Sequence, residues 1–451
     1  VSLPSRASSD YISRISREYG LYVLDSRAIP AMTDGLKTSQ RIALWLVRNR
    51  ADKIKTISLV GEMIASNLYV HGDAAAGDTI SLLAAPYCNN VPLLGSVGAF
   101  GTLADPTSFG APRYTYVKRS KFAQDALYTD IDIVPMVENY DGSARMPGTF
   151  LPLIPLVLLN GIKGIAPGWS TNILPRRLED LIRAVQEVLS DGKVKTKIMP
   201  HYEGRNVRVV ERGDNQYTLF GHLIKKNTTT VIVDSLPPDL TLEKFKEYLI
   251  KLEEDGKITD WIDHSSKTIY IEIKMRRADL VPMEEADIIE FLRLRTLVTE
   301  NITVQGIGGN KVVTYESADK LVEDWVKWRL ELYLERYNKL LEDECYTNLY
   351  WKLVIACFDH ELVNDLLKLK GKTELKNRVL EIANADKLDG VTDDILERIA
   401  NLPSYRWTVE GYDEAKKQLE ASSQRVVEYD SMVSSNVKRK NVFKKEVGAL
   451  A

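Results

Sequence analysis

Arg113-Tyr114-Thr115 sits inside the run Gly110-Ala-Pro-Arg-Tyr-Thr-Tyr-Val-Lys-Arg119. A phenolic oxygen attacks phosphorus only if cations neutralise the phosphate and a base or field offsets its high pKa of about 10. This part of the chain supplies such groups. Arg113 adjoins the tyrosine and Lys118 lies further along the same run. Upstream come Arg27-Ala-Ile-Pro30, Asp34-Gly-Leu-Lys37 and His71-Gly-Asp73. A pentavalent phosphate carries more negative charge on its oxygens than the ground state, so fixed cations stabilise the transition state preferentially. Arg113 is the natural charge-assisted, bidentate donor to a non-bridging oxygen. Tyr116 is the competing nucleophile, since it would share a face with Tyr114 if the segment is a strand.

The elements that must position these groups follow from spacing. Helical periodicity covers residues 8–19 and 37–50. In the second, Ile42, Leu44, Trp45 and Leu46 share a helix with Arg41, Arg48 and Arg50. A helix resting on a core with arginines toward a phosphate backbone is one reading, and a solvated basic face is the other. A further helix is expected over Asp73–Leu83, with Asp73 as N-cap. Glycines at 95, 98, 101 and 110 then mark a loop leading into a strand around Arg113–Lys118. Helices followed by such a strand fit a winged-helix module over residues 1–125.

Residues 126–318 read as a mixed α/β domain. Its strands are expected at Ile131–Met136, Val207–Arg212, Thr229–Asp234, Thr268–Ile273 and Thr299–Gln305, its helices at Glu179–Leu189, Leu242–Asp255 and Glu284–Arg295. Residues 319–451 read as a long antiparallel helical hairpin, out from about residue 317 and back over Tyr412–Ser434, with a globular dimerisation tip. The basic tail Lys438–Lys445 is expected to fray. The fold class is therefore α+β and multidomain.

Composition narrows the function classes. Of 451 residues, 44% are hydrophobic and 27% charged, as in ordinary globular proteins. No apolar run reaches the roughly 20 residues of a membrane span, and no signal peptide is visible. Three cysteines and five histidines show no disulfide framework and no metal-ligand spacing, which points to a reducing cytoplasm. Net charge is −3, yet residues 1–130 hold 14 Lys and Arg against 11 Asp and Glu. That local positive bias suits a DNA-binding module on a larger scaffold, or is ordinary scatter.

Taken in order, Arg27-Ala-Ile-Pro30, Asp34-Gly-Leu-Lys37, His71-Gly-Asp73, Gly95-Ser-Val-Gly-Ala-Phe-Gly101 and Arg113-Tyr-Thr115 resemble the breakage–reunion part of type IIA DNA topoisomerases. The resemblance continues through Asn139-Tyr-Asp-Gly142, Leu159-Asn-Gly161, Gly164-Ile-Ala166 and Thr171-Asn-Ile-Leu-Pro175, and covers nearly the whole chain. Within the family, Leu153-Ile-Pro with Val157-Leu-Leu-Asn-Gly161 favours the T-even-like phage branch over bacterial gyrase.

The resemblance implies roles. Tyr114 would form a 5′-phosphotyrosine and release a 3′-hydroxyl, two chains of a dimer would cut both strands, and a second duplex would pass before resealing. Arg113 and Arg27 would clamp the phosphate and His71 would bond or position it. Tyr69 stands where the family has another histidine. Lys37, Arg41 and Lys118 would contact DNA backbone, and Ile173 would wedge between base pairs and bend the duplex. Asp78 keeps the acidic partner of a family serine that is Ala74 here, which implies weak poisoning by quinolones.

Other components are implied to lie elsewhere. No Walker-type loop is present, and Asp130-Ile-Asp132 falls on a segment unlike the family's metal fold. Mg²⁺ and ATP are therefore expected on an ATPase- and metal-binding, gyrase B-like partner subunit, with no metal site on this chain. The other expected partners are double-stranded DNA and a second copy, joined through the helical hairpin; no membrane is involved. The site of action would be the cytoplasm, a bacterial host's if the chain is phage-encoded. A gyrase-type wrapping domain is not seen, so relaxation and decatenation are expected rather than supercoiling. The reading from another class is a winged-helix DNA-binding dimer with an assembly role and no chemistry.

Overall fold

The computed structural model describes residues 8–24, 28–139, 142–213, 215–266, 268–309, 311–365 and 368–451. Arg27 lies outside them. The chain divides into two compact units, Val1–Arg329 with Lys444–Ala451, and Leu330–Phe443.

The first unit opens with α1 (Ser8–Val23) and α2 (Thr38–Val47), then β1 (Ile54–Lys55), α3 (Thr56–Ala65) and α4 (Asp73–Ala84). Next come β2 (Leu94–Val97), β3 (Tyr116–Arg119) and α5 (Lys121–Ala126). Strands β1, β3 and β2 make an antiparallel sheet with β3 central. Helices α2, α3 and α4 with this small sheet form a winged helix. They hold together because Ile42, Leu44, Leu59, Val60, Met63, Ile80 and Leu83 are all buried. That apolar area is the dominant stabilising term. The cap of α4 falls one residue earlier than its motif suggests: Gly72 is the N-cap and Asp73 sits in the first turn, where its charge favours the helix dipole.

Two hairpins follow, β4 (Met136–Glu138) with β5 (Arg145–Pro147), and, after the short α6 (Leu156–Leu159), β6 (Ile162–Ala166) with β7 (Trp169–Ile173). The strand expected at Ile131–Met136 is instead a 3₁₀ turn at Ile131–Ile133 ahead of β4. Helix α7 (Leu178–Asp191) buries Leu181, Ile182, Val185, Val188 and Leu189 on one face and stops at Gly192, whose φ of +79° is a left-handed cap.

The mixed region then runs β8 (Arg208–Gly213), β9 (Gln216–Phe220), β10 (His222–Lys225), β11 (Thr230–Ser235), α8 (Leu242–Glu254), β12 (Asp260–Asp263) and β13 (Ile271–Lys274). It continues with α9 (Arg277–Leu280), α10 (Glu285–Phe291), β14 (Arg295–Thr299), β15 (Ile302–Gln305) and β16 (Val312–Tyr315). A four-stranded sheet, order β10-β11-β13-β12, packs Val231, Val233, Ile271 and Ile273 against Phe245, Leu249 and Ile288 of α8 and α10. A three-stranded sheet, order β14-β9-β8, stands beside it in sequence. One buried ion pair, Arg176–Glu300 at 2.7 Å with neither side chain exposed, ties the end of the β6–β7 hairpin to the segment joining β14 and β15.

Helix α11 (Ala318–Asp359) enters the second unit. There follow α12 (Leu362–Asp365), α13 (Lys372–Ala385), α14 (Asp393–Ala400) and α15 (Val409–Ser434). Within that unit α11 and α15 are antiparallel partners, since Tyr337 meets Tyr429, Glu344 meets Arg425 and Asp359 meets Tyr412. A separate core gathers Leu353, Cys357, Val379, Ile382, Ile395 and Ile399 at the hairpin's end. The tail does not fray: α16 (Asn436–Gly448) is helical, with Phe443 and Val447 fully buried and Phe443 stacked on Tyr333 at 4.6 Å.

Candidate active site

Tyr114 lies in a turn and not on the strand expected for it. Its amide donates to the Ala111 carbonyl at 2.9 Å, and β3 starts two residues later. The turn holds the side chain out, 69% exposed. The Arg113 guanidinium lies 4.7 Å from the centre of the tyrosine ring. Tyr116, by contrast, is half-buried in the sheet with the Lys53 ammonium 5.1 Å over its ring, which separates the two candidate nucleophiles.

Three glycines let the turn be approached closely. A β-carbon at Gly98, whose φ is +110°, would meet Thr115 at 3.4 Å, one at Gly110 would meet it at 3.2 Å, and one at Gly77 of α4 would lie 3.2 Å from Pro112. Helix α4 thus packs against the tyrosine turn. His71, just ahead of its N-terminus, is half-buried with its ring edge-on to buried Tyr69, centroids 5.4 Å apart. Ala74 and Asp78 are both exposed on α4, one turn apart.

Lys118 is exposed on β3, its stem lying over Gly95 of β2. Register places Lys55 opposite Tyr116, so Lys55, Tyr116 and Lys118 share one face of the sheet with Lys53 beside them. Lys53 and Lys55 were not singled out by motif. Among the described residues Lys53, Lys55 and Lys118 have no ion pair, whereas nearby Arg50 is taken by Glu62 at 2.6 Å.

Lys37 donates its ammonium to the Lys163 carbonyl of β6 at 3.1 Å, and burial pulls its pKa below the ordinary lysine value. It is therefore seated at the foot of the β6–β7 hairpin. That hairpin also lies on Ala28, because a β-carbon at Gly164 would fall 2.0 Å from the Ala28 carbonyl. Arg27 itself is outside the described residues.

Two expectations are corrected. Arg41 does not face a phosphate backbone: it is 6% exposed and binds Asp34 through two nitrogens, at 2.7 and 3.0 Å. Asp34 is fully buried and also accepts from the amides of Leu36 and Phe150, so the Asp34-Gly-Leu-Lys37 motif is here a packing keystone. Nor is Ile173 placed to act as a wedge. It pairs with Ile162 at the base of the β6–β7 hairpin and is 2% exposed. A side chain with no free apolar face cannot enter a base stack. Ile165, near the Pro167-Gly168 tip of the same hairpin, is 87% exposed. Alternation along β6 was the available signal for it, because Gly164 and Ala166 turn inward on either side.

No group of three or more His, Cys, Asp or Glu side chains gathers among the described residues, and Asp130 is committed to buried Arg329. No helix among them is long and apolar enough to cross a membrane.

Comparison with known proteins bears on the family and the fold. A sequence model of the A-type subunit of the DNA gyrase/topoisomerase IV family matches residues 27–448. The DNA topoisomerase medium subunit of Enterobacteria phage T4 is 29% identical over 450 residues, 97% of each chain. DNA topoisomerase 2-alpha of Gallus gallus is 30% identical over 322 residues, 68% of this chain but 21% of that one, so the chain spans about a fifth of the vertebrate relatives it matches. In fold, a crystal structure of the Plasmodium falciparum topoisomerase II DNA-binding, cleavage and re-ligation domain matches with a TM-score of 0.79 at 23% identity, over 96% of this chain and 64% of that one. With the family match running from the residue before Ala28 through α16, the chain belongs to the A-type subunits of the DNA gyrase/topoisomerase IV family.

Proposed function

We propose that this chain is the DNA-cleaving and religating subunit of a type II DNA topoisomerase, with Tyr114 as nucleophile. The observation that carries the reading is the exposed phenol of Tyr114 beside Arg113 on a winged-helix module, in a chain of this family. The Tyr114 oxygen loses its proton, attacks a backbone phosphorus and forms a 5′-phosphotyrosine, while the bond to the 3′-oxygen breaks and that oxygen leaves as the 3′-hydroxyl after taking up a proton. Arg113 turns from the tyrosine ring to a non-bridging oxygen and neutralises charge that grows in the transition state. Arg27 is proposed as the second clamp and His71 as a positioning donor. Because one phosphoester replaces another, resealing is the reverse attack and needs no external energy.

DNA is proposed to run along the exposed face of the sheet, with Lys53, Lys55 and Lys118 on its phosphates and Lys37 at the hairpin foot. Ile165 is proposed as the wedge, since unstacking costs only a few kcal/mol per step and a bent duplex reaches more cations. Asp78, exposed on α4, is proposed to lie near the bound duplex. The chain is proposed to act as a dimer through residues 319–451, to carry its chemistry in residues 1–125 with 126–318 as the flanking domain, and to rely on a gyrase B-like partner subunit for Mg²⁺ and ATP.

The test is direct. The chain, its partner subunit, Mg²⁺ and end-labelled duplex are mixed and quenched with detergent. Protein linked to the 5′ ends is expected, and none with Tyr114→Phe. An adduct that persists in Tyr114→Phe would remove Tyr114 from its role; the absence of any adduct would favour a purely DNA-binding dimer.

A further inference from the structure

Tyr114 projects into solvent, and the Arg113 guanidinium over its ring is itself on an exposed side chain. The anchoring lies one residue further on. Thr115 is 1% exposed, and its hydroxyl meets that of fully buried Thr56 at 2.8 Å. Thr56 is the first residue of α3, and its amide donates to the Thr115 carbonyl at 3.0 Å. The next amide, of Ile57, donates to the Pro112 carbonyl at 3.1 Å. The first amides of a helix have no partner within it. Here two of them grip the chain on either side of Arg113-Tyr114, and the hydroxyl pair ties one end of that grip. The methyl group of Thr115 fills the space left by Gly98 and Gly110.

We propose that Thr115, held by Thr56, is the positioning residue for the nucleophile, fixing the Tyr114 backbone relative to α3 so that the phenol meets phosphorus in line. The proposal rests on the reading of Tyr114 as nucleophile. Neither threonine touches DNA in it, so the pair governs the rate of the covalent step and leaves DNA affinity alone. A misplacement of about 1 Å at a reacting atom costs on the order of a hundredfold in rate.

The experiment uses the full chain with its partner subunit and Mg²⁺, and follows both adduct formation and duplex affinity. Thr115→Val keeps the shape and removes the hydroxyl; it is expected to slow the adduct step about tenfold to a hundredfold, with affinity within about twofold. Thr115→Ser keeps the hydroxyl and is expected to recover most of the rate. Thr56→Val should repeat the Thr115→Val effect from the other side, and it carries the test if Thr115→Val does not fold. The double valine variant should be no worse than either single one, because neither hydroxyl is then left unpaired. Wild-type rates in the valine variants would overturn the proposal. So would a rate loss matched by lost affinity, or a serine variant as slow as valine. Tyr114→Phe run in parallel separates the two ideas: an adduct that survives it sinks the nucleophile, whereas a normal Thr115→Val beside a dead Tyr114→Phe sinks the clamp alone.

Discussion

Asp34 accepts from Arg41, Leu36 and Phe150 with no part of its carboxylate reaching solvent. Removing one partner of such a pair strands a buried charge, so Arg41→Ala is expected to lower stability by about 3–5 kcal/mol. Urea unfolding checks this, and the salt dependence of DNA binding in any folded fraction should not change. The hairpin isoleucines separate in the same way. Ile173→Ala removes buried methylenes and should destabilise by about 2–5 kcal/mol. Ile165→Ala removes an exposed side chain, leaves stability within about 0.5 kcal/mol, and should reduce duplex bending in a fluorescence-transfer assay. Equal bending by the two variants would retract the wedge assignment. At this scale Tyr114 was singled out by motif order, and Tyr116 separates from it only in the structure, where it lies half-buried in the sheet. Arg41 and Ile173 were misread because a basic or apolar residue in a DNA-binding motif has the same letter whether it faces the ligand or the core.

On the wing sheet Lys53, Lys55 and Lys118 stand together without carboxylate partners among the described residues. Elsewhere lysines such as Lys163, Lys226, Lys274 and Lys376 have carboxylate partners. Each phosphate contact adds about 0.9 to the slope of log affinity against log salt, so replacing both Lys53 and Lys55 by Gln should lower that slope by about 2. Fluorescence anisotropy at several salt concentrations reads it, and an unchanged slope would mean a solvated face. Helices α7, α8 and α15 were legible to within a few residues from their apolar spacing and their polar or glycine ends. Helix α3 was not. Its run Thr-Ile-Ser-Leu-Val-Gly-Glu-Met-Ile-Ala is rich in β-branched residues and interrupted by glycine, and only packing against α2 and α4 makes it helical. The register that puts Lys55 beside Tyr116 joins residues far apart in sequence, and no local pattern announces it.

The chain divides into two compact units, and acid should act on each by its own carboxylates. In the second unit Glu397 of α14 accepts from Lys372 and from Lys376, and its carboxyl is pulled from 4.5 down to about 2, the hydrogen bond from Lys372 being the largest cause. A carboxyl depressed in the folded state contributes stability that is complete above its unfolded value and disappears as pH falls through the folded one. The window here is therefore about pH 4.5 down to about 2. The side chain is only partly covered, so water and salt keep the effect small. Melting of the hairpin unit across that window should show a shallower acid dependence in Glu397→Gln than in the unaltered chain. An unchanged profile would assign its acid response to other groups.

The second unit is an excursion of the chain: it begins at Leu330 and closes at Phe443, and the first unit resumes at Lys444. Val447 is fully buried and Gly448 lies against Gln186 of α7. During synthesis domains generally fold as units, N-terminal part first. Here the outer unit is discontinuous: residues 444–451 rejoin it only after the whole of Leu330–Phe443, so its last contacts close a long loop, at an entropic cost that a continuous domain would not carry.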